Sequence, residues 1–172
     1  MFSRRQILVA SGGLGVAALV AGVLPKFSSS TGLIEQAHAD EVFEVSHSDS
    51  EWHLLLSDEQ YAILRDEGTE RAYTSPLNNE HRNGTFACAG CDLALFSSAT
   101  KFDSRTGWPS FWAPLEHAVA TRQDRSFGMS RNEVHCRRCG GHLGHVFDDG
   151  PKPTGLRYCM NGLAMTFKPV AA

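Results

Sequence analysis

The chain has 172 residues, with 16 Lys+Arg against 19 Asp+Glu for a formal charge of −3, and 42% of its residues are hydrophobic. The near balance of charge gives no basic surface for nucleic acid or an anionic membrane, and the apolar content excludes an intrinsically disordered chain. One compact domain is expected from the length, and the odd count of five cysteines raises a chemical question that composition leaves open.

Residues 1–39 read as an address. Arg4 and Arg5 stand directly before an apolar run over residues 7–24, which four glycines keep only modestly hydrophobic, and Ala37-His38-Ala39 is a small-x-small cleavage pattern. The segment resembles a bacterial Tat export signal, which places the protein in the periplasm or outside the cell. The competing reading is a retained anchor, but an 18-residue run is short for the roughly 20 apolar residues that a bilayer span needs. Without residues 1–39 the chain keeps 133 residues, 13 basic and 18 acidic side chains, and all five cysteines. Residues 40–52 are expected to be a flexible N-terminal segment and 53–172 the folded domain, with the membrane touched only through an uncleaved signal.

The first regular element of that domain starts at Ser57, which reads as an N-cap with Gln60 completing a capping box and with Leu56 and Tyr61 placed as a hydrophobic staple. Gly68 is a natural stop. Helical periodicity then fades. Asn83-Gly84 is a hairpin-turn signal feeding residues 85–87, and Leu93 and Leu95 alternate with small or polar neighbours. Short runs follow at 118–121, 133–135, 143–147, 156–160 and 163–167, divided by Gly, Pro, Asn and Asp clusters. The pattern predicts a mainly β (α+β) domain of antiparallel sheets with one or two peripheral helices.

Cys88-Ala89-Gly90-Cys91 and Cys136-Arg137-Arg138-Cys139 are two Cys-x-x-Cys knuckles separated by 44 residues. Two intervening residues let both thiolates of a knuckle reach one tetrahedral ion, so the four predict one structural zinc per chain that staples two hairpins together. A closed four-cysteine shell leaves no open position, which excludes a Lewis-acid role for the metal. Two rivals are a thioredoxin-like redox pair, for which the βαβ setting is missing, and two disulfides, which export would favour. A Tat substrate crosses already folded, so zinc can be loaded before the oxidising compartment is reached.

The fifth cysteine lies in Arg157-Tyr158-Cys159-Met160-Asn161. On a strand, alternation puts Arg157, Cys159 and Asn161 on one face, where a guanidinium favours the thiolate and an amide orients a polar group. A small core cysteine is the alternative, yet Arg and Asn are odd company for a buried thiol. His142 and His145 are three residues apart and would face opposite ways on a regular strand, but a bulge at Gly144 would bring both to one side. They could act in proton transfer, lie on the surface or support the knuckle thiolates. Asp148 and Asp149 open a Gly-Pro-Lys-Pro loop as turn formers. Trp108, Phe111 and Trp112 in Gly107-Trp108-Pro109-Ser110-Phe111-Trp112 read as core or as an aromatic wall for an apolar ligand group.

Together the knuckles, GWPSFW and HLGHVFDDGPKPTGLRYCMN resemble methionine-R-sulfoxide reductases of the B type over roughly residues 57–169. The resemblance implies Cys159 as nucleophile and sulfenic acid, Trp108 and Phe111 against the substrate, and His142, His145, Asn161 and Arg157 on the polar side. It implies oxidised proteins carrying methionine-R-sulfoxide as substrates of a monomeric repair enzyme. Many members carry a resolving cysteine just before GWPSF; this chain has Thr106, which implies an external thioredoxin-like thiol donor. Gly162 stands where a small hydroxyl residue is common, a change expected to loosen local hydrogen bonding. The alternative function is a zinc-stapled binding module of similar fold without chemistry, which leaves Cys159 and the histidines idle.

Overall fold

The computed structural model describes residues 42–128 and 130–171, and the expected export signal at 1–39 lies outside them. Among the described residues no helix is long and apolar enough to cross a membrane. Two short helices open the domain, α1 (Asp49–Leu55) and α2 (Asp58–Leu64), each started by a capping box: Ser48 with Glu51, and Ser57 with Gln60. Each box satisfies backbone N–H groups that a first helical turn leaves without partners.

The segment 40–52 is therefore not a flexible leader where it is described. Val45 donates to the Arg138 carbonyl at 2.9 Å. The Phe43 ring occupies the space a Cβ on Gly140 would need, and Trp52 is buried. The reason is Trp52, which would be costly to leave in water and is covered by the Arg65 guanidinium.

Among the described residues nine strands follow, β1 (Gly84–Cys88), β2 (Ala94–Ser97), β3 (Lys101–Phe102), β4 (Ser110–Phe111), β5 (Val119–Asp124), β6 (Arg131–Cys136), β7 (His142–Phe147), β8 (Arg157–Met160) and β9 (Met165–Pro169). They form an antiparallel three-stranded sheet, β2-β1-β9, and an antiparallel six-stranded sheet, β3-β4-β8-β7-β6-β5. The mainly β class with peripheral helices is what the sequence predicts. Asn83-Gly84 does not turn a hairpin: Gly84 starts β1 opposite Pro169, where an added Cβ would meet the Lys168 carbonyl at 2.3 Å, so glycine serves close strand approach. The run at 163–167 splits into a 3-10 turn, Gly162–Ala164, and β9.

One apolar cluster takes side chains from both helices and both sheets. Phe111 of β4 joins the sheets, its ring stacked on Phe96 of β2 at 4.4 Å and edge-on to Phe86 of β1 at 4.9 Å.

Candidate active site

The two knuckles meet. Cys88 ends β1, Cys136 ends β6, and Cys91 and Cys139 lie in the turns that follow those strands. All four Sγ atoms lie within 4.8 Å of one another, with Cys88 to Cys139 at 3.7 Å and Cys91 to Cys136 at 3.4 Å. Sulfurs around a tetrahedral zinc at about 2.3 Å sit roughly 3.8 Å apart, so the cluster fits such an ion. The short contacts run between knuckles and the cysteines are free, against a pairing as disulfides. One end of the cluster belongs to each sheet, so an ion there joins them.

Cys159 lies in β8, near the middle of the larger sheet, with Ser110 of β4 opposite it on one side and His145 of β7 on the other. It lines a cleft of about 120 Å³ with Thr69, Trp108, Arg131, Gly144, His145, Phe147 and Asn161. The half-buried Trp108 ring is fixed by its indole N–H, which donates to the Glu70 carbonyl at 3.0 Å. Asn161 lies just past β8; its Oδ1 accepts from the Glu70 N–H at 3.0 Å and its Nδ2 donates to the Leu143 carbonyl at 3.2 Å. Thr106 Oγ1 is 3.7 Å from Cys159 Sγ and heads a hydroxyl chain through Ser104 to Ser110, with links of 2.8 and 2.7 Å.

The histidines do share a side. Opposite β6, β7 carries one extra residue, because Gly144 pairs with Val134 while His142 pairs with the next residue, His135. This bulge puts the His142 and His145 rings 5.4 Å apart, and Gly144 packs so closely on β8 that a Cβ would meet the Cys159 carbonyl at 2.1 Å. His145 lines the cleft and hydrogen-bonds through Nε2 to Asp124 at 2.8 Å. Burial pushes its pKa below the ordinary imidazole value, with the Asp124 bond opposing. Asp124 is itself held well below the usual carboxylate range by the Ser126 hydroxyl and amide, then by His145 and Arg131. His142 stands one step back, in an adjoining cavity of about 330 Å³. Its Nδ1 meets Glu133 at 2.8 Å, while its buried Nε2 has no hydrogen-bond partner among the described residues. Burial pushes Glu133 up, but bonds from His142 and Arg122 more than reverse this and leave it low.

Two expected roles change. Phe111 is wholly buried between the sheets and does not touch the cleft; it pairs with Tyr158, one register position from Cys159, and its neighbours are core rings. Arg157 is engaged with Asp149 at 2.8 and 2.9 Å and lies over the Phe147 ring at 4.3 Å. The Asp149 bonds raise its pKa, with a smaller electrostatic contribution from Cys159, so it is a fixed cation near the sulfur rather than a wall of the cleft. Asp149 is thus an ion-pair partner as well as a turn former. Sequence reasoning missed Glu70, Asp124, Arg131 and the hydroxyls of Ser104 and Ser110; of these Ser110 alone lies in a motif, GWPSFW, where the aromatic residues carry the signal.

A SelR domain matches residues 56–169 of the chain. Over 127 residues the chain is 52% identical to the peptide methionine sulfoxide reductase MsrB of Leptospira interrogans, covering 73% of this chain and 97% of that protein. The Agrobacterium fabrum protein of the same name is 53% identical over 74% of this chain and 95% of its own length. One from Pseudomonas putida is 56% identical over 69% and 90%. The chain belongs to this family, the MsrB-type peptide methionine sulfoxide reductases.

Proposed function

We propose that the protein reduces methionine-R-sulfoxide in oxidised proteins, with Cys159 as the nucleophile. The observation that carries this reading is a half-buried thiol lining a cleft whose walls are an indole and a histidine-asparagine edge. The Cys159 thiolate attacks the sulfoxide sulfur while a proton reaches its oxygen; the S–O bond to methionine breaks, the thioether leaves, and the hydroxyl ends on Cys159 as a sulfenic acid. Trp108 packs on the S-methyl group, His145 supplies the proton, Asn161 and His142 support the polar edge, and the Arg157 cation interacts electrostatically with Cys159.

Regeneration takes two reducing equivalents from outside the chain. The other four cysteines are gathered in the cluster, and Thr106 faces Cys159 where a resolving thiol would stand. The donor we propose is a thioredoxin-like dithiol protein, which returns Cys159 to a thiol, releases water and leaves as a disulfide. Cys88, Cys91, Cys136 and Cys139 hold one zinc, whose chemistry is structural because a four-thiolate shell is closed. The enzyme works as a monomer in the periplasm, reached through the twin-arginine signal.

The test is an assay with R and S sulfoxide peptides and a chemical dithiol. Reduction of the R peptide alone is expected, with none by Cys159→Ser even in a single turnover. Single-turnover reduction by that variant overturns the nucleophile, and a wild-type protein that binds the peptide without reducing it restores the binding-module reading.

A further inference from the structure

We propose that Glu70 is a positioning residue for the cleft, its carboxylate clamping the backbone that holds Trp108 and Asn161 against Cys159. Glu70 is 7% exposed, and its carboxylate oxygens accept from the N–H groups of Gly162 at 2.5 Å and Leu163 at 3.1 Å. Those amides open the 3-10 turn Gly162–Ala164, whose N-cap is Asn161. An asparagine at an N-cap ordinarily satisfies such amides with its own side chain. Here it makes no capping bond, because its Oδ1 is taken by the Glu70 N–H and its Nδ2 by Leu143.

The two residues therefore exchange bonds across 91 positions of chain, Asn161 accepting from the Glu70 backbone and Glu70 accepting from the backbone after Asn161. It is a capping box assembled from two distant segments. Glu70 also accepts the Trp108 indole N–H through its main-chain carbonyl. A single residue thus ties both walls of the cleft to the strand end that follows Cys159. Gly162 fits the same arrangement: a Cβ there would lie 1.8 Å from Ser75 Oγ and 3.3 Å from Glu70 Oε1. The glycine does not loosen the site, as its sequence position suggests, but admits the Glu70 segment. Burying a carboxylate is unfavourable unless its oxygens are bonded, and a carboxylate, unlike a side-chain amide, gives two adjacent N–H groups two acceptors without a competing donor.

The inference rests on the reductase reading for its kinetic arm only. In full-length Glu70→Gln one amide faces an NH₂ group instead of an acceptor. The expected result is a rise in KM for the R-sulfoxide peptide of about ten-fold, equivalent to about 1.4 kcal/mol, with a smaller change in kcat. Trp108 should become more open to acrylamide quenching without substrate, a difference that vanishes in Trp108→Phe. The KM effects of Glu70→Gln and Trp108→Phe should be non-additive. Should Glu70→Gln not fold, Leu163→Pro removes one donor at a first-turn position that tolerates proline, and the same readouts apply. Unchanged KM and unchanged quenching in a folded variant, or full additivity with Trp108→Phe, overturns the clamp. A wild type without reductase activity refutes the functional reading, while the quenching comparison still decides the clamp.

Discussion

Replacing Thr106 by cysteine should divert the sulfenic acid we propose on Cys159 into a disulfide. Thr106 Oγ1 is 3.7 Å from Cys159 Sγ, so a shift of less than about 2 Å brings a sulfur at that position into bonding range. Thr106 lies between β3 and β4, flanked by Arg105 and Gly107 at positive φ, in a connection free of ladder hydrogen bonds that can absorb such a shift. The two positions are 53 apart, and closing a loop of that size restricts the unfolded chain by about 4 kcal/mol. In a domain of this length about 4 kcal/mol separates the melting temperatures of oxidised and reduced Thr106→Cys by on the order of 10–15 °C. One equivalent of R-sulfoxide peptide should add about 16 Da to the wild type, as sulfenic acid, and remove about 2 Da from the variant, as disulfide, by intact mass. A variant that accumulates a sulfenic acid trappable by dimedone at the wild-type yield, with one melting temperature in both states, refutes the juxtaposition.

Asp124→Asn should act through His145. The carboxylate opposes the burial that pushes the His145 pKa down, so its loss lowers that pKa further and shrinks the imidazolium fraction at any given pH. If His145 gives the proton, kcat drops and the limb on which rate falls with rising pH moves to lower pH; an unmoved limb in the variant's pH profile assigns the proton elsewhere. Phe111→Leu should weaken the fold by about 1–2 kcal/mol through lost packing between the sheets and leave KM unchanged, as read by thermal melts and peptide kinetics. A several-fold KM change would return Phe111 to the substrate side. Stripping metal with a chelator should release one zinc per chain and abolish cooperative melting, since a structural zinc supplies about 10–16 kcal/mol against a domain stability of about 5–15. A chelated protein with an unchanged melt excludes the site as a staple.

The features legible in the sequence are those whose physics is local or whose residue types are rare. The Ser57 and Gln60 box is complete within four residues, the two knuckles carry their own ligand spacing, and short apolar runs divided by turn residues mark β6 to β8. Ser48 and Glu51 form the same kind of box as Ser57 and Gln60, hidden by its place next to the expected leader, and Trp52 just beyond it is the signal that a core begins there. Phe111 and Trp108 are three apart in one motif, yet one is core and one is wall. The difference is made by β4, a strand of two residues too short to announce a period. Glu70 was illegible for another reason: its partners are 38 to 93 positions away, and a lone glutamate after Thr69 looks like any surface acid.

The cysteine cluster and the Cys159 thiol lie in different parts of the chain but are linked through the register of β7. After Cys136 the chain turns through residues 137–141, with Gly140 donating to the Cys136 carbonyl and Cys136 to the Gly141 carbonyl, both at 2.9 Å, and enters β7 at His142. From there the bulge at Leu143 and Gly144 sets which side chains face β8 and brings His145 opposite Cys159. Because side chains alternate along a strand, a slip of one residue in that turn would swing His145 to the other face of the sheet. Holding Cys136 and Cys139 on one ion pins the turn, so the zinc we propose acts on the chemistry without approaching it: it fixes the register in which β7 enters the sheet and His145 meets Cys159. Partial metal loss should then lower reduction in proportion to the zinc removed while Cys159 still reacts with alkylating agents, whereas loss of the Trp108 wall should leave the register intact and weaken substrate binding alone.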